Sequence, residues 1–164
     1  MKRDVVINGY VPGAIGRVAE MHAAYYSSNW GFGMFFEAKV ATELSEFLSR
    51  FNEVHDGFWT AHFNGRVEGS IAIDGFNAES DGAHLRWFIL SSKLRGHGFG
   101  NKLMHKAVNF CKRNRSPCIY LWTFAGLDAA RHLYEKFGFH LAEQHQGTQW
   151  GTPVIEQKFI LNLR

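Results

Sequence analysis

Apolar residues recur along this chain with two periods, and the switches between them predict its elements. Residues 5–8 form a short apolar run read as a strand, punctuated by Pro12 and Gly13. From Gly13 the positions Ile15, Val18, Ala19, His22, Tyr25 and Tyr26 repeat at helical spacing, predicting a first helix to about residue 27. Ser27, Ser28, Asn29 and the Gly31/Gly33 pair interrupt it. In a second helix Phe36, Val40, Leu44, Phe47, Leu48 and Phe51 share one face, with Glu37, Lys39, Glu43, Glu46 and Arg50 on the other.

The period then falls to two. Residues 58–63 and 66–74 flank Asn64-Gly65, a pair suited to a type I′ turn because both central positions need positive φ. Val67, Gly69, Ile71 and Ile73 are expected on one face of the second arm. A polar loop (77–82) leads to a strand at 83–90 whose apolar end reads as covered on both faces. A third helix carries Phe99, Leu103, Ala107, Phe110 and Cys111 on its apolar stripe and Lys102, Lys106 and Arg113 on its basic face. A buried strand follows at 118–122. Leu127, Ala130, Tyr134 and Phe137 set a fourth helix, with Gly138 as its left-handed C-terminal cap. Strands near 139–144 and 154–161 flank a polar loop through Gly147, Trp150 and Gly151. The order β-α-α-β-β-β-α-β-α-β-β, without repeat or internal boundary, predicts one α/β domain over residues 1–164 with a mixed sheet covered by helices on both faces.

Charge is uneven along this frame. Seven of the eighteen Lys and Arg fall between Lys93 and Arg115, where Asp and Glu are absent, leaving eleven basic against fifteen acidic residues elsewhere. An anionic partner is therefore expected at that segment. Its centre, Arg95-Gly96-His97-Gly98-Phe99-Gly100, joins a strand to a helix. Glycines let backbone N–H groups approach an anion, and the helix N-terminus adds unpaired donors and partial positive charge. The predicted device is a phosphate cradle. Gly100-Asn101-Lys102 lacks the Gly-Lys-Ser/Thr of a P-loop. The GxGxG spacing, with acidic residues absent until Asp128, is not a dinucleotide fingerprint.

The loop matches the Arg/Gln-x-x-Gly-x-Gly/Ala pattern of the GNAT superfamily of acyl-CoA-dependent N-acetyltransferases. Ala130-Arg131-His132-Leu133-Tyr134-Glu135-Lys136-Phe137-Gly138-Phe139 resembles that family's Ala-x-x-Leu-Tyr-Glu-Lys-x-Gly-Phe block. The element order agrees, so the resemblance spans nearly the whole chain. It implies a mostly antiparallel seven-stranded sheet with four helices. Trp30-Gly31-Phe32-Gly33, Phe36-Glu37-Ala38-Lys39-Val40-Ala41, His84-Leu85-Arg86-Trp87-Phe88 and the stretch from Leu121 to Ala130 are further similar to the acetyltransferase half of bacterial MarR-type regulator/acetyltransferase fusions. That kinship implies a stand-alone version of the catalytic half.

The resemblance implies acetyl-CoA as cosubstrate and direct attack by an amine, without a covalent enzyme intermediate. Cys111 and Cys118 are then filler. The backbone of Phe88, Ile89 and Leu90 is expected to pair with the pantetheine arm, and one of its N–H groups to hold the thioester oxygen. Arg95, Gly96, His97, Gly98, Phe99, Gly100 and Asn101 are expected around the pyrophosphate. Tyr134 is expected to contact the cosubstrate and protonate the leaving thiolate. The family often places a Glu on the strand before the loop; here that stretch offers His84 and Arg86, making His84 the candidate base and Glu37 its rival. Ser92 stands where a Pro is common and Leu127 where an Asn usually bonds the pantetheine, so Thr123 and Asp128 become substitutes.

In this fold the segment joining the first two helices lines the acceptor site. Here it holds six aromatic residues in twelve, from Tyr25 to Phe36. Tyr26, Trp30, Phe32, Phe35 and Glu37 are the expected acceptor contacts, through stacking or cation–π interaction. A catalytically weak acyl-CoA sensor is the alternative, supported by the missing strand Glu. Nucleic acid is not an expected partner, because Phe99 and Phe110 fall on the buried stripe rather than between the charges. No membrane partner is expected either, since no apolar run nears the roughly 20 residues of a span. The two cysteines lack CxxC spacing, pointing to a reduced, cytoplasmic chain. The nine histidines lack HxH or HExxH spacing, so no metal is expected. A monomer or homodimer remains open.

Overall fold

A computed structural model describes residues 4–164. Its strands are β1 (Val5–Asn8), β2 (Gly57–Phe63), β3 (Arg66–Asp74), β4 (Ala83–Leu90), β5 (Cys118–Phe124), β6 (His140–Gly147) and β7 (Val154–Asn162). Its helices are α1 (Ala14–Trp30), α2 (Met34–Ser49), α3 (Phe99–Arg113) and α4 (Asp128–Lys136). They form an α/β fold around one seven-stranded sheet of order β1-β2-β3-β4-β5-β7-β6. Every neighbouring pair is antiparallel except β4 and β5.

The periodicities locate these elements closely. Asn64 and Gly65 have φ of 52° and 74°, as a type I′ hairpin turn requires. Gly138 follows α4 at φ 98°. The first helix runs three residues past its expected end, to Trp30, where Gly31 at φ 70° caps it and donates to Ser27 O. His140 and His145 both lie on β6.

Two bulges alter which face a side chain meets. Ala61 pairs with Gly69 and His62 with Val67, so β3 carries one extra residue at Glu68. One extra residue reverses the alternation beyond it. Val67 therefore packs with α1 and α2, while Ile71 and Ile73 pack under α3 and α4, and the expected common face is split. On β4, Ser70 pairs with Ile89 but Ala72 with Arg86, so the extra residue lies in the stretch between those partners. Trp87 there has φ 47°, a left-handed backbone unusual for a bulky residue. Leu85 accordingly faces the α3 core, while Trp87 and Ile89 face the α1/α2 core.

β4 and β5 are joined only at Ala83/Ile119 and His84/Tyr120. Beyond that point they diverge, and β5 continues paired with β7 alone. The interior of the sheet thereby opens into a cleft, which β4 lines with an unpaired backbone edge.

Candidate active site

The cleft between β4 and β5 encloses about 220 Å³. β4 contributes His84, Arg86, Trp87 and Phe88, and β5 contributes Trp122, Thr123 and Phe124. Helices α1 and α2 close one side with His22, Tyr26, Phe36, Lys39 and Glu43. Tyr134 of α4 and Gln149 and Trp150 of the β6–β7 loop complete it.

At one end stands the glycine loop. Leu94 is fully buried and anchors it, and its first turn closes through Leu94 N–H and Arg95 N–H, both donated to Ser91 O. Gly96 (φ 76°) and Gly98 (φ 84°) then hold left-handed conformations. Lys102 is the first residue of α3 whose N–H is taken by a backbone carbonyl, Gly98 O at 3.3 Å, so the amides of residues 96–101 have no backbone acceptor among the described residues. A Cβ on Gly96 or Gly98 would meet nothing within 4 Å, and no side chain caps the helix. Open space, unpaired donors and a helix N-terminus fit a pyrophosphate. Charge surrounds them: Arg95 lies 4.2 Å above the Tyr25 ring, Lys93 reaches to 3.6 Å from the buried carboxylate of Glu68, and Lys102 is exposed. His97 is exposed on the loop, and Asn101 accepts a hydrogen bond from Lys136. Asp128 is exposed in the first turn of α4, away from the cleft lining, whereas Thr123 is buried in it.

Tyr134 is 7% exposed and packed among Phe88, Phe139 and Phe159. Among the described residues its hydroxyl has no hydrogen-bond partner. Burial raises its pKa, and the nearby Tyr26 adds to the rise, so the phenol stays protonated. His84 stacks on Tyr120 at 4.5 Å. Burial pushes its pKa down to about 3, with Arg86 and Lys158 adding and Asp74 opposing, so the ring is neutral near pH 7.

The aromatic segment after α1 is mostly structural. Of the five expected acceptor contacts only Tyr26 lines the cleft. Phe32 is 2% exposed, within a ring cluster with Tyr26, Phe36 and Phe124. Trp30 packs edge-on against Phe124 and over Gly126, where a Cβ would collide with its ring. Phe35 is exposed and covers Gly151. Glu37 is exposed on α2, outside the cleft. Sequence reasoning missed Lys39, Glu43, Arg86, Trp122, Gln149 and Trp150 as lining residues. It placed His22 only on an apolar stripe. The i,i+4 pair Lys39/Glu43 was legible as a helix-surface pair, but nothing in the sequence turned it toward β4.

Cys111 is fully buried and its thiol is pushed up to about 12 by burial, as an inert core residue should be. No helix among the described residues is long and apolar enough to cross a membrane.

Comparison with known proteins agrees with this arrangement. Over 117 residues the chain is 32% identical to an N-acetylaspartate synthetase of Xenopus tropicalis, covering 70% of this chain and 42% of that protein. It is 25% identical over 127 residues to an uncharacterized N-acetyltransferase of Methanocaldococcus jannaschii, covering 75% and 56%. The chain thus spans about half the length of these relatives. Among solved structures, a GNAT-family acetyltransferase of Staphylococcus aureus superposes with a TM-score of 0.73 at 18% identity, covering 98% of this chain and 99% of that one. A candidate acetyltransferase of Salmonella typhimurium, solved with its cofactor acetyl-CoA, gives 0.74 at 14% identity, covering 98% and 94%. At such identities the likeness is one of fold. Residues 16–139 match the model of the acetyltransferase (GNAT) family, and the chain belongs to that family.

Proposed function

We propose that this chain is an N-acetyltransferase that transfers an acetyl group from acetyl-CoA to a primary amine of a small molecule or peptide by direct attack. The observation that carries this reading is Tyr134: a buried, protonated phenol whose hydroxyl has no hydrogen-bond partner among the described residues, standing in the cleft beside Phe88. Acetyl-CoA supplies an activated acyl group and a leaving thiolate. The backbone edge of β4 at Phe88, Ile89 and Leu90, unpaired toward β5, holds the pantetheine arm as an added strand would be held. One of these N–H groups, turned by the bulge at Trp87, faces the carbonyl oxygen where negative charge develops. Such a preorganised donor lowers a barrier by about 3–4 kcal/mol.

The glycine loop and Arg95 grip the pyrophosphate, with Asn101 at the helix start. Tyr134 delivers its proton to the departing sulfur. The burial that raises its pKa also raises the basicity of a thiolate formed in the same cleft, so the proton passes between matched partners. His84, neutral at working pH, accepts a hydrogen bond from the incoming amine, orients it, and takes the proton that the nitrogen sheds as it becomes an amide; Tyr134 regains its proton from solvent after the thiol leaves. Its depressed pKa prevents it from stripping an ammonium ion, so the acceptor binds as the free amine. The four segments shared with regulator fusions support a kinship with their catalytic halves.

The test is release of free CoA from acetyl-CoA across an amine and peptide panel. Tyr134→Phe is expected to lower kcat about 10- to 100-fold while leaving acetyl-CoA affinity within about threefold. Unchanged turnover in that variant removes Tyr134 from the reaction. Thermal stabilisation by acetyl-CoA without turnover on any acceptor would assign the chain to acyl-CoA sensing instead.

A further inference from the structure

The acceptor end of the cleft carries charge that the transfer reaction does not use. Arg86, on β4 two residues before Phe88, lines the cleft with its side chain only 20% exposed. Its guanidinium has five N–H donors. It stacks 4.1 Å over the Trp87 ring and stands 3.3 Å from Glu43 and 3.8 Å from Asp74, yet none of these donors makes a well-formed hydrogen bond within the described chain. Asp74 is already committed. Arg50 grips both its oxygens at 2.6 and 3.3 Å, and Phe76 N–H adds a third bond. Glu43 is shared in turn with Lys39, whose ammonium donates to it at 3.1 Å. Lys39, Glu43 and Arg86 thus place two cations against one anion on the cleft wall, beside a neutral His84. A largely buried guanidinium with idle donors is costly unless an anion completes it.

We infer that Arg86 and Lys39 form a carboxylate subsite, and that the acceptor is an aminocarboxylate with an apolar body: an amino acid rather than a plain amine. The inference rests on the acetyltransferase reading and names its substrate class. The geometry suits it. Arg86 and Phe88 both line the cleft two residues apart on β4, on either side of the bulged Trp87, so an α-amino acid can reach from the thioester beside Phe88 to the guanidinium. Planar, paired N–H groups match a carboxylate's two oxygens. Around this charged end Phe36, Trp87, Trp122 and Trp150 provide aromatic walls for the side chain.

Matched acceptors test it on the intact chain. L-phenylalanine, L-methionine and L-tryptophan are compared with their carboxamides and with phenethylamine, by CoA release at fixed pH and corrected for free-amine fraction. The carboxylates should be preferred at least about 10-fold in kcat/KM. Arg86→Gln should lower kcat/KM for the carboxylates about 10- to 100-fold while changing the carboxamides less than about threefold. Lys39→Met should act in the same sense more weakly, and Glu43→Gln in the opposite sense, raising carboxylate affinity. Arg86→Lys, which keeps the charge, should retain part of the preference if Arg86→Gln fails to fold.

Equal use of carboxylates and carboxamides, or equal losses on both in the Arg86 variants, overturns the subsite even if the enzyme acetylates amines well. Should no acceptor turn over, the transferase reading falls, and the subsite is judged by calorimetry of N-acetyl-L-phenylalanine with CoA present. Binding that weakens at least 10-fold for the N-acetyl carboxamide and in Arg86→Gln sustains it, and indifference to both overturns it.

Discussion

The two ends of the cleft are built from different materials. At the end proposed for the cofactor the groups on offer are main-chain: six N–H groups from Gly96 to Asn101 and the free edge of β4. At the acceptor end they are side chains, brought from α1, α2, β4, β5 and the β6–β7 loop. A main-chain site depends on where glycines fall and where a helix starts, and tolerates wide change in the side chains around it. A side-chain site depends on the register of five separate elements, so it can be respecified without disturbing the fold. One scaffold can therefore keep a common acyl donor and vary its acceptor.

The largest effect should come from breaking the main-chain end with a single side chain. Gly98 has φ 84° and open space where its Cβ would lie. Gly98→Val forces a β-branched residue into the left-handed region and fills the cradle. Acetyl-CoA affinity should fall more than about 100-fold, while N-acetyl amino acid binding at the other end changes little. Gly98→Asn separates the two causes, because Asn tolerates left-handed φ but still occupies the space. If Gly98→Asn binds acetyl-CoA like the parent, the site depends on conformation alone and the cradle needs no open volume.

This division also explains what was legible in the sequence. Glycine spacing, a basic run without acids and a strand-to-helix junction are local features, so the loop from Arg95 to Asn101 could be placed from its residues. Tyr134, which lines the cleft, could be singled out because a contiguous block carries it. The acceptor wall was not readable in the same way. Aromatic density singled out the α1–α2 junction, but Phe32 and Trp30 spend their rings on Phe124, and Phe35 on Gly151. Arg86 and Glu43 lie forty-three positions apart and meet at 3.3 Å only because α2 folds across the mouth of β4. The bulges at Glu68 and Trp87 are equally hidden, since neither residue is a usual marker of one. Alternation gave the elements well, but the faces of β3 and β4 reverse at those two points.

A smaller effect is expected where the two ends meet. The turn at Trp87 is held by Ser70, whose buried hydroxyl donates to Trp87 O at 2.7 Å. Ser70→Ala leaves that carbonyl unsatisfied, a cost of about 1–3 kcal/mol, and frees the bulge to relax. Because the loop is untouched, acetyl-CoA affinity should stay within about threefold while kcat drops about 10-fold. A parallel loss in affinity and kcat would mean that the bulge serves general strand packing rather than the aim of its N–H groups. Restoring the hydroxyl as Thr should recover part of the rate.

The smallest effect is in pH dependence, which should belong to the acceptor end alone. His22 is 6% exposed in α1 and lines the cleft. Its neutral ring donates Nδ1–H to Val18 O at 2.8 Å, and burial lowers its pKa to about 4 against the backbone bond's opposing pull. The unfolded chain, with an ordinary histidine near 6.5, binds the proton first. Stability is therefore complete above about pH 6.5 and is lost as pH falls toward 4, at up to about 1.4 kcal/mol per pH unit for this group. His84, also depressed, contributes in the same direction from the same pH 6.5 and continues down to about pH 3. His22→Gln, which cannot charge, should flatten the fall in unfolding free energy between pH 6.5 and 5 by about half, since His84 remains. Acetyl-CoA affinity, set by amides and arginine, should show no matching change. An unaltered slope in His22→Gln would place the acid-sensitive group elsewhere, and a slope that moved together with acetyl-CoA binding would mean that the two ends are coupled through α1, where Tyr25 already touches Arg95.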